Sequence, residues 1–319
     1  MAFNTTINTS LLTTYLIRKF IPALEKDLQM QRFTTKAMVP AGEGKIARFN
    51  VFSSTAGNIT ALAEGSVSAG EITTLTTSPT NVTIAEYGEF IKMTRLQDLA
   101  AVKGTRDEVA NRLGYQAALT IDKLVRNAAK ASSTAKHAGS DGTLATTETL
   151  SARDIIRESL ETLAGGDVAG LRGISGHPDG EYACVIHPEP ESDMVSESAT
   201  STNKLVWSEI VKNVGGSLGQ EKLIKGAMGS IYGTACYRSQ NIDTALLTST
   251  VTAYSNFIFG DGGMGAVALE DMDPVLYVNT PSSGDVGNPY RNFSTIAWHV
   301  FFGTSTIDSG RVIRLYSAK

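Results

Sequence analysis

The stretch "SSTAGNITALAEGSVSAGEITTLTTSPTNVTIAE", residues 53–86, decides how the rest of the chain is read. It contains no aromatic residue and is built from Ala, Gly, Ser, Thr and a few aliphatics, with "ALAEGSVSAGE" at its centre. A structureless loop of this length does not suit the interior of a compact domain. Its Thr, Val and Ile content suits strands. So do "KIARFNVF" (45–52), "EITTLTT" (71–77) and "TNVTIAEYGEFIKM" (80–93). The reading is a long two-stranded hairpin. An isolated hairpin is only marginally stable in water, so this one is expected to lie on something else, and a neighbouring subunit is the candidate.

On the N-terminal side, "LLTTYLIRKFIPALEKDLQMQRF" reads as helical pieces broken near Pro22, because proline suits the first turn of a helix and not its middle. Leu24 and Leu28 supply a thin apolar edge. On the C-terminal side a long helix follows. Thr105 and Glu108 match a T-x-x-E capping box. Val109, Leu113, Ala117, Ile121, Leu124 and Ala128 share one face of a 3.6-residue period, with Asp122 and Arg126 expected to pair on the polar side. From Arg106 to Lys130 this helix would span on the order of 37 Å at ~1.5 Å per residue.

"KHAGSDGT" (136–143) reads as a linker. A second helix is capped by Ser151, carries Ile156, Leu160 and Leu163, and stops at Gly165–Gly166. Beyond Gly180, "EYACVIHP", "SIYGTACYRS", "NFIFG" and "AVALED" read as strands and "KLVWSEIVKNV" as a helix. Residues 281–290 read as a loop. "STIAWHVFFG" and "GRVIRLYS" close the chain as two strands joined by a turn at Asp308–Gly310. Strands and helices mix without a regular βα alternation, which points to an α+β fold.

Bulk composition excludes several classes. The 319 residues are 42% hydrophobic and 19% charged, enough for a sizeable core. A net charge of −4 does not fit a strongly basic nucleic-acid binder. Cys184 and Cys236 lie in strand-like runs and read as small buried hydrophobes in a reducing compartment. No signal peptide is expected at "MAFNTTINTS", and no apolar run approaches a membrane span. N-x-S/T triplets at Asn58 and Asn81 are by-products of a threonine-rich chain.

Four motifs suggest chemistry, and each lacks its context. Gly260, Gly262 and Gly265 spell G-x-G-x-x-G after an apolar run. The residues after Gly265, "AVALEDMDPVLYV", are strand-like and contain Pro274, so no helix N-terminus is available to hold a phosphate, and Asp285 sits in a Gly/Pro loop. Gly215–Gly219 with Ser217 matches the hydrolase nucleophile elbow, and Asp243 or Asp271 and His299 come after it in order. A helix-patterned segment precedes it where a strand is required. "HPEPESD" offers His187, Glu189, Glu191 and Asp193 to a hard cation, but its two prolines suggest a stiff solvated loop. "GGDVAG" (165–170) shares the glycines of a phosphate loop without its Lys-Ser/Thr ending. No cofactor, no metal and no enzymatic activity are expected.

The ordered set "KIARFNVF", "LAEGSVS" (Leu62, Glu64, Gly65), "YGEFIKMTRLQDL", "LGYQAALTIDKLV", "YACVIHPEPESDM", "GSIYGTACYRSQN", "NFIFGDGGMGAVAL" and "VGNPYRNFSTIAWHVFFGTSTIDSGRVIRLYS" resembles the major capsid proteins of tailed phages, of the N4-type group with the HK97-like fold. The resemblance covers most of the chain. It implies an N-terminal arm at 1–35 and a P domain beginning at 36–180. Within that first part it implies an extended E-loop at about 42–93 and a spine helix at about 97–131. It further implies an A domain at 181–275 and return strands of the P domain at 276–319.

The function it implies is a structural shell subunit that forms hexamers and pentamers around double-stranded DNA. The DNA would be contacted non-specifically. Scaffold, portal and cement or decoration proteins would be further partners, no membrane would be involved, and assembly would take place in the host cytoplasm. Intersubunit contact is expected at Leu12, Tyr15, Leu16, Leu24 and Leu28 of the arm and at Ile59, Leu62, Glu64, Gly65, Ile72 and Leu75 of the hairpin. The alternatives are an encapsulin-like compartment shell and a soluble hydrolase acting through Ser217.

Overall fold

The computed structural model describes residues 5–40, 42–52, 76–96, 105–132, 134–139, 148–164, 182–196, 227–231, 233–246, 251–269, 274–280, 288, 290 and 292–319. Its organising element is the 28-residue helix α2 (Thr105–Ser132). Ala110, Leu113, Ala117, Ala118, Ile121, Val125 and Ala129 are all buried, a face wider than the stripe read from the sequence. The small side chains let neighbours approach from two directions. Helix α1 (Thr5–Asp27) lies along α2 and buries Leu16, Phe20 and Leu24. The contact is close at Gly114, where a Cβ would stand 2.6 Å from the carbonyl oxygen of Phe20.

Two sheets pack around α2. The first contains β1 (Thr35–Val39), β4 (Ala85–Thr94), β11 (Met264–Leu269), β12 (Val275–Asn279) and β13 (Phe293–Thr306). β4 pairs along one edge of β13, and β12 and β11 succeed one another along its other edge. Ile296, Trp298, Val300 and Phe302 of β13 turn inward and are buried. This is the period-2 alternation read from "STIAWHVFFG".

The second sheet runs β5 (Thr134–His137), β14 (Val312–Ala318), β10 (Thr252–Phe259), β6 (Tyr182–Ile186), β8 (Thr234–Arg238), β7 (Ala227–Ile231), with β9 (Thr244–Leu246) also on β10. Its central strands β14, β10 and β6 are buried on both faces. Ala183 and Val185 of β6 join the α2 core, whereas Tyr182, Cys184 and Ile186 join a second core with Ile155, Leu163 and Met194. Those three come from α3 (Ala152–Ile156), its π-helical continuation Arg157–Ala164, and α4 (Pro188–Ser196). Finally, β2 (Ile46–Phe52) and β3 (Thr77–Thr83) form a separate antiparallel ribbon.

Several expectations are corrected. α1 is not broken at Pro22, which lies exposed inside one continuous helix, so water can reach the carbonyl that loses its partner. "HPEPESD" is the start of α4 and not a loop, because both prolines fall in the first turn, where amide donors have no intrahelical acceptor. "TNVTIAEYGEFIKM" is two strands in different sheets, parted at Ile84. Lys136 and His137 belong to β5 and not to a linker.

The cap at Ser151 is present as a capping box with Asp154. The wider π turn then brings Ile155 rather than Ile156 to full burial beside Leu163. The expected helix "KLVWSEIVKNV", residues 53–75, most of the 281–290 loop and the Gly165–Gly166 stop lie outside the described residues.

Candidate assembly surface

The β2–β3 ribbon leaves the body from the outer face of the first sheet. Val82 and Ile84 are buried with Val39 and Val267, and Ala47, Phe49 and Phe301 pack around them. The amide of Ile84 donates to the carbonyl of Lys45 at 2.8 Å, closing the base of the ribbon. Thr80 Oγ1 donates to the carbonyl of Ile307 at 3.3 Å. Further along, burial is lost, and Phe52 is 61% exposed. The ribbon therefore has a seated end and a projecting end.

Beside the seat, the outer face of the same sheet is open. Phe90, Ala297 and Tyr277 stand in one cross-strand row, with Gly88 and His299 in the next. Together with Glu86, Glu89 and Trp298 they line a shallow hollow of about 410 Å³. Phe90 and Tyr277 are 63% and 50% exposed. Clustered apolar exposure of this kind marks an interaction surface. The sequence reading missed these residues. Strand alternation shows which residues share a face, and not which face stays uncovered.

The arm residues divide differently from expectation. Leu16 and Leu24 are buried in the chain's own core, and Leu12 and Leu28 pack at its margin. They cover α2 of their own chain, which leaves Leu16 and Leu24 no surface for a neighbour. Tyr15 is exposed, and its hydroxyl donates to Asp107 at 2.7 Å, which raises the pKa of the phenol. Ile59, Leu62, Glu64, Gly65, Ile72 and Leu75 lie outside the described residues.

Asp122 corrects another expectation. It is fully buried and does not pair with Arg126. It accepts the amides of Gln29 and Met30 at 3.1–3.2 Å and the side-chain amide of Asn241 at 3.3 Å. One carboxylate thus ties the turn after α1, the long helix and the loop after β8. Burial pushes its pKa up to about 6, although these hydrogen bonds work against the rise. Arg126 instead donates to the carbonyl of Asn241 at 2.7 Å.

The chemical motifs disperse. Gly260–Gly263 forms the turn from β10 into β11, which lie in different sheets, Gly262 has φ +69°, and Gly265 already lies within β11. The glycines serve a tight turn that leads into a strand. His299 contacts Glu86 at 2.6 Å on the open sheet face, and Asp243 pairs with Lys130 at 2.8 Å. Ser217, Asp271 and residues 165–170 lie outside the described residues.

His187 stacks on Tyr254 with ring centres 4.4 Å apart, and burial lowers its pKa. Glu189 accepts from the Tyr254 hydroxyl, and Glu191 pairs with Arg238. Burial and the Glu189 carboxylate push the Tyr254 phenol up to about 12. Three of the four candidate cation ligands thus already hold partners, since His187 Nδ1 also accepts the amide of Glu189 at 3.2 Å, and no metal-binding cluster occurs among the described residues. Cys184 and Cys236 are free, buried and in register on neighbouring parallel strands. No helix among the described residues is long and apolar enough to cross a membrane.

Comparison with known proteins gives a consistent picture. Residues 76–313 match the family model described as phage capsid protein. No curated protein matches the sequence. Among solved structures, the capsid of Ralstonia phage GP4 is similar with a TM-score of 0.68 at 17% identity, over 90% of this chain and 87% of that one. The head of Helicobacter pylori bacteriophage KHP40 is similar with a TM-score of 0.63 at 9% identity, over 90% of each chain. The capsid of cyanophage P-SCSP1u gives 0.58 at 15% identity, over 90% of this chain and 87% of that one. At these identities the likeness is one of fold, the HK97-like α+β architecture.

Proposed function

The chain belongs to the phage capsid protein family, and on that premise we propose how its parts build a shell. It is a structural major capsid protein whose copies associate into the icosahedral capsid of the virion. In this proposal hexamers and pentamers of the chain close the shell around double-stranded DNA. The net charge of −4 suits non-specific, weak contact with that polymer. Assembly in the bacterial cytoplasm, with scaffold, portal and cement or decoration proteins, completes the reading. So does placement in the N4-type subgroup.

The division expected from the sequence is kept as part of it: arm 1–35, P domain from 36–180 with E-loop and spine helix, A domain 181–275, return strands 276–319. The spine helix corresponds to α2. The last strand β14 pairs with β10, so the returning segment also knits the two parts together.

The observation that carries the division of labour is the β2–β3 ribbon, seated in a small core at one end and exposing Phe52 at the other. A ribbon that projects from its own sheet reaches a neighbouring copy, and the part of the expected contact Ser53–Glu86 beyond the seated base, from Ser53 to Ser78, is assigned to that contact, since Val82 and Ile84 are buried in their own subunit. The open row of Phe90 and Tyr277 is assigned to contact between copies as well. Obligate interfaces of this class bury about 2,000–5,000 Å², and many weak contacts acting together hold a closed shell.

Negative-stain electron microscopy of the purified chain beside native particles tests the reading. Closed shells with nuclease-protected DNA in the native sample are expected, and a uniform small particle in both samples contradicts it. Deleting Ser53–Pro79 should leave folded subunits that make no normal shells. Normal shells from that variant would sink the hairpin claim. Ser217→Ala should assemble as the parent does, and the parent should show no esterase activity.

A further inference from the structure

Two glycines lie where the ribbon crosses the sheet. A Cβ on Gly303 of β13 would stand 2.6 Å from the carbonyl oxygen of Thr83 and 3.2 Å from Cα of Ile84. Contacts under 3.0 Å with backbone atoms cannot be relieved by turning a side chain; one strand must lift off the other. On Gly265 of β11 a Cβ would meet Phe49 Cε2 and Ile307 Cδ1, each at 3.0 Å. Gly303 pairs with Val267 and Gly265 with Ser305, so both glycines open on the same outer face. Around them Val82, Ile84, Val39 and Val267 are buried, with Phe49 and Phe301 packed alongside.

We infer that Gly303 and Gly265 form a fixed seat for the base of the β2–β3 ribbon, and that this seat sets the direction in which the ribbon leaves its own subunit. The inference rests on the reading of the chain as a shell subunit, in which that ribbon reaches a neighbour. Its physical basis is backbone-on-backbone contact. A larger residue at 303 tilts the whole ribbon, because β2 and β3 are joined in register from Ile46↔Thr83 to Phe52↔Thr77. A small tilt at Thr83 is carried along seven residue pairs to Phe52. Gly303 and Gly265 are therefore positioning residues for assembly, although neither needs to touch a second copy.

Hydrogen exchange read by mass spectrometry on the full chain, in the unassembled fraction separated by size, tests the seat directly. In the parent, amides of 46–49 and 80–84 should exchange slowly, like those of β13. Gly303→Ala should speed them by roughly 10-fold or more while α2 stays protected, since overpacking of this kind acts locally. Phe49→Ala, which leaves the backbone contact intact, should speed them less.

Fast exchange of 46–49 and 80–84 in the parent would overturn the inference, because the base would then be a loose hinge. So would unchanged exchange in Gly303→Ala. Shell diameter of Gly303→Ala by electron microscopy gives the second readout: altered or absent shells are expected, and parental shells despite the raised exchange overturn the positioning role. If neither the purified parent nor the native sample contains shells, the shell reading fails by itself, and the exchange data still decide whether the seat is rigid.

Discussion

Asp122 carries an ionisable group into the centre of three segments, holding the amides of Gln29 and Met30 and the side chain of Asn241. Its pKa rises from 3.8 to about 6, chiefly through burial. A raised carboxylate pKa means that the native state binds this proton more tightly than the unfolded chain does. The contribution is complete below about pH 4 and is lost as pH climbs through 6, with an upper bound of about 3 kcal/mol. In Asp122→Asn the amide oxygen can still accept from Gln29 and Met30, so the fold should persist. Urea unfolding of unassembled subunits between about pH 4 and 7 should show a flatter pH dependence in this variant than in the parent. An unchanged slope would mean that Asp122 does not titrate in this range. Sequence periodicity placed Asp122 on a solvated face beside Arg126. It erred because the period describes one helix, whereas the carboxylate's partners come from residues 93 and 119 positions away.

At the scale of elements, α1 shows packing overruling local preference. A mid-helix proline removes a hydrogen bond and crowds the preceding turn. α1 nevertheless runs unbroken through Pro22 because Leu16, Phe20 and Leu24 are held against α2. The exposed position of Pro22 makes a simple prediction. Pro22→Ala should stabilise the unassembled subunit by about 1–3 kcal/mol, read as a higher Tm, since a donor is restored and no buried contact is lost. A lower Tm would show that the proline shapes the way α1 runs along α2. Elements with strong periodic signals were legible: α2, the alternating β13, the all-buried β6, and the capped start of α3. Less legible were elements whose boundaries depend on partners, such as the break between β3 and β4 at Ile84, where the chain passes from the ribbon into the first sheet.

For the whole molecule, two sheets and two helices share one core, while the ribbon has a small core of its own at the sheet's outer face. Deleting Ser53–Pro79 removes part of β3 but leaves the α2 core untouched, so far-UV dichroism and cooperative unfolding should survive while shell formation is lost. Loss of cooperative unfolding would show instead that the ribbon is part of the subunit's own folding unit. By itself the sequence determined the α+β class, the long central helix, a strand at 45–52 within a hairpin, and the turn role of Gly260 and Gly262. These arise from periodicity and turn chemistry acting over a few residues, whereas the partner strand β3 (Thr77–Thr83) straddles the gap between the expected strands 71–77 and 80–93. The ordered motifs also carried the family. Only the tertiary structure decided that Leu16 and Leu24 of the arm cover their own subunit, that Asp122 is buried, and that Gly303 and Gly265 seat the ribbon. Each of these depends on which surfaces meet across large sequence separations, and the period of a single element holds no information about what covers it.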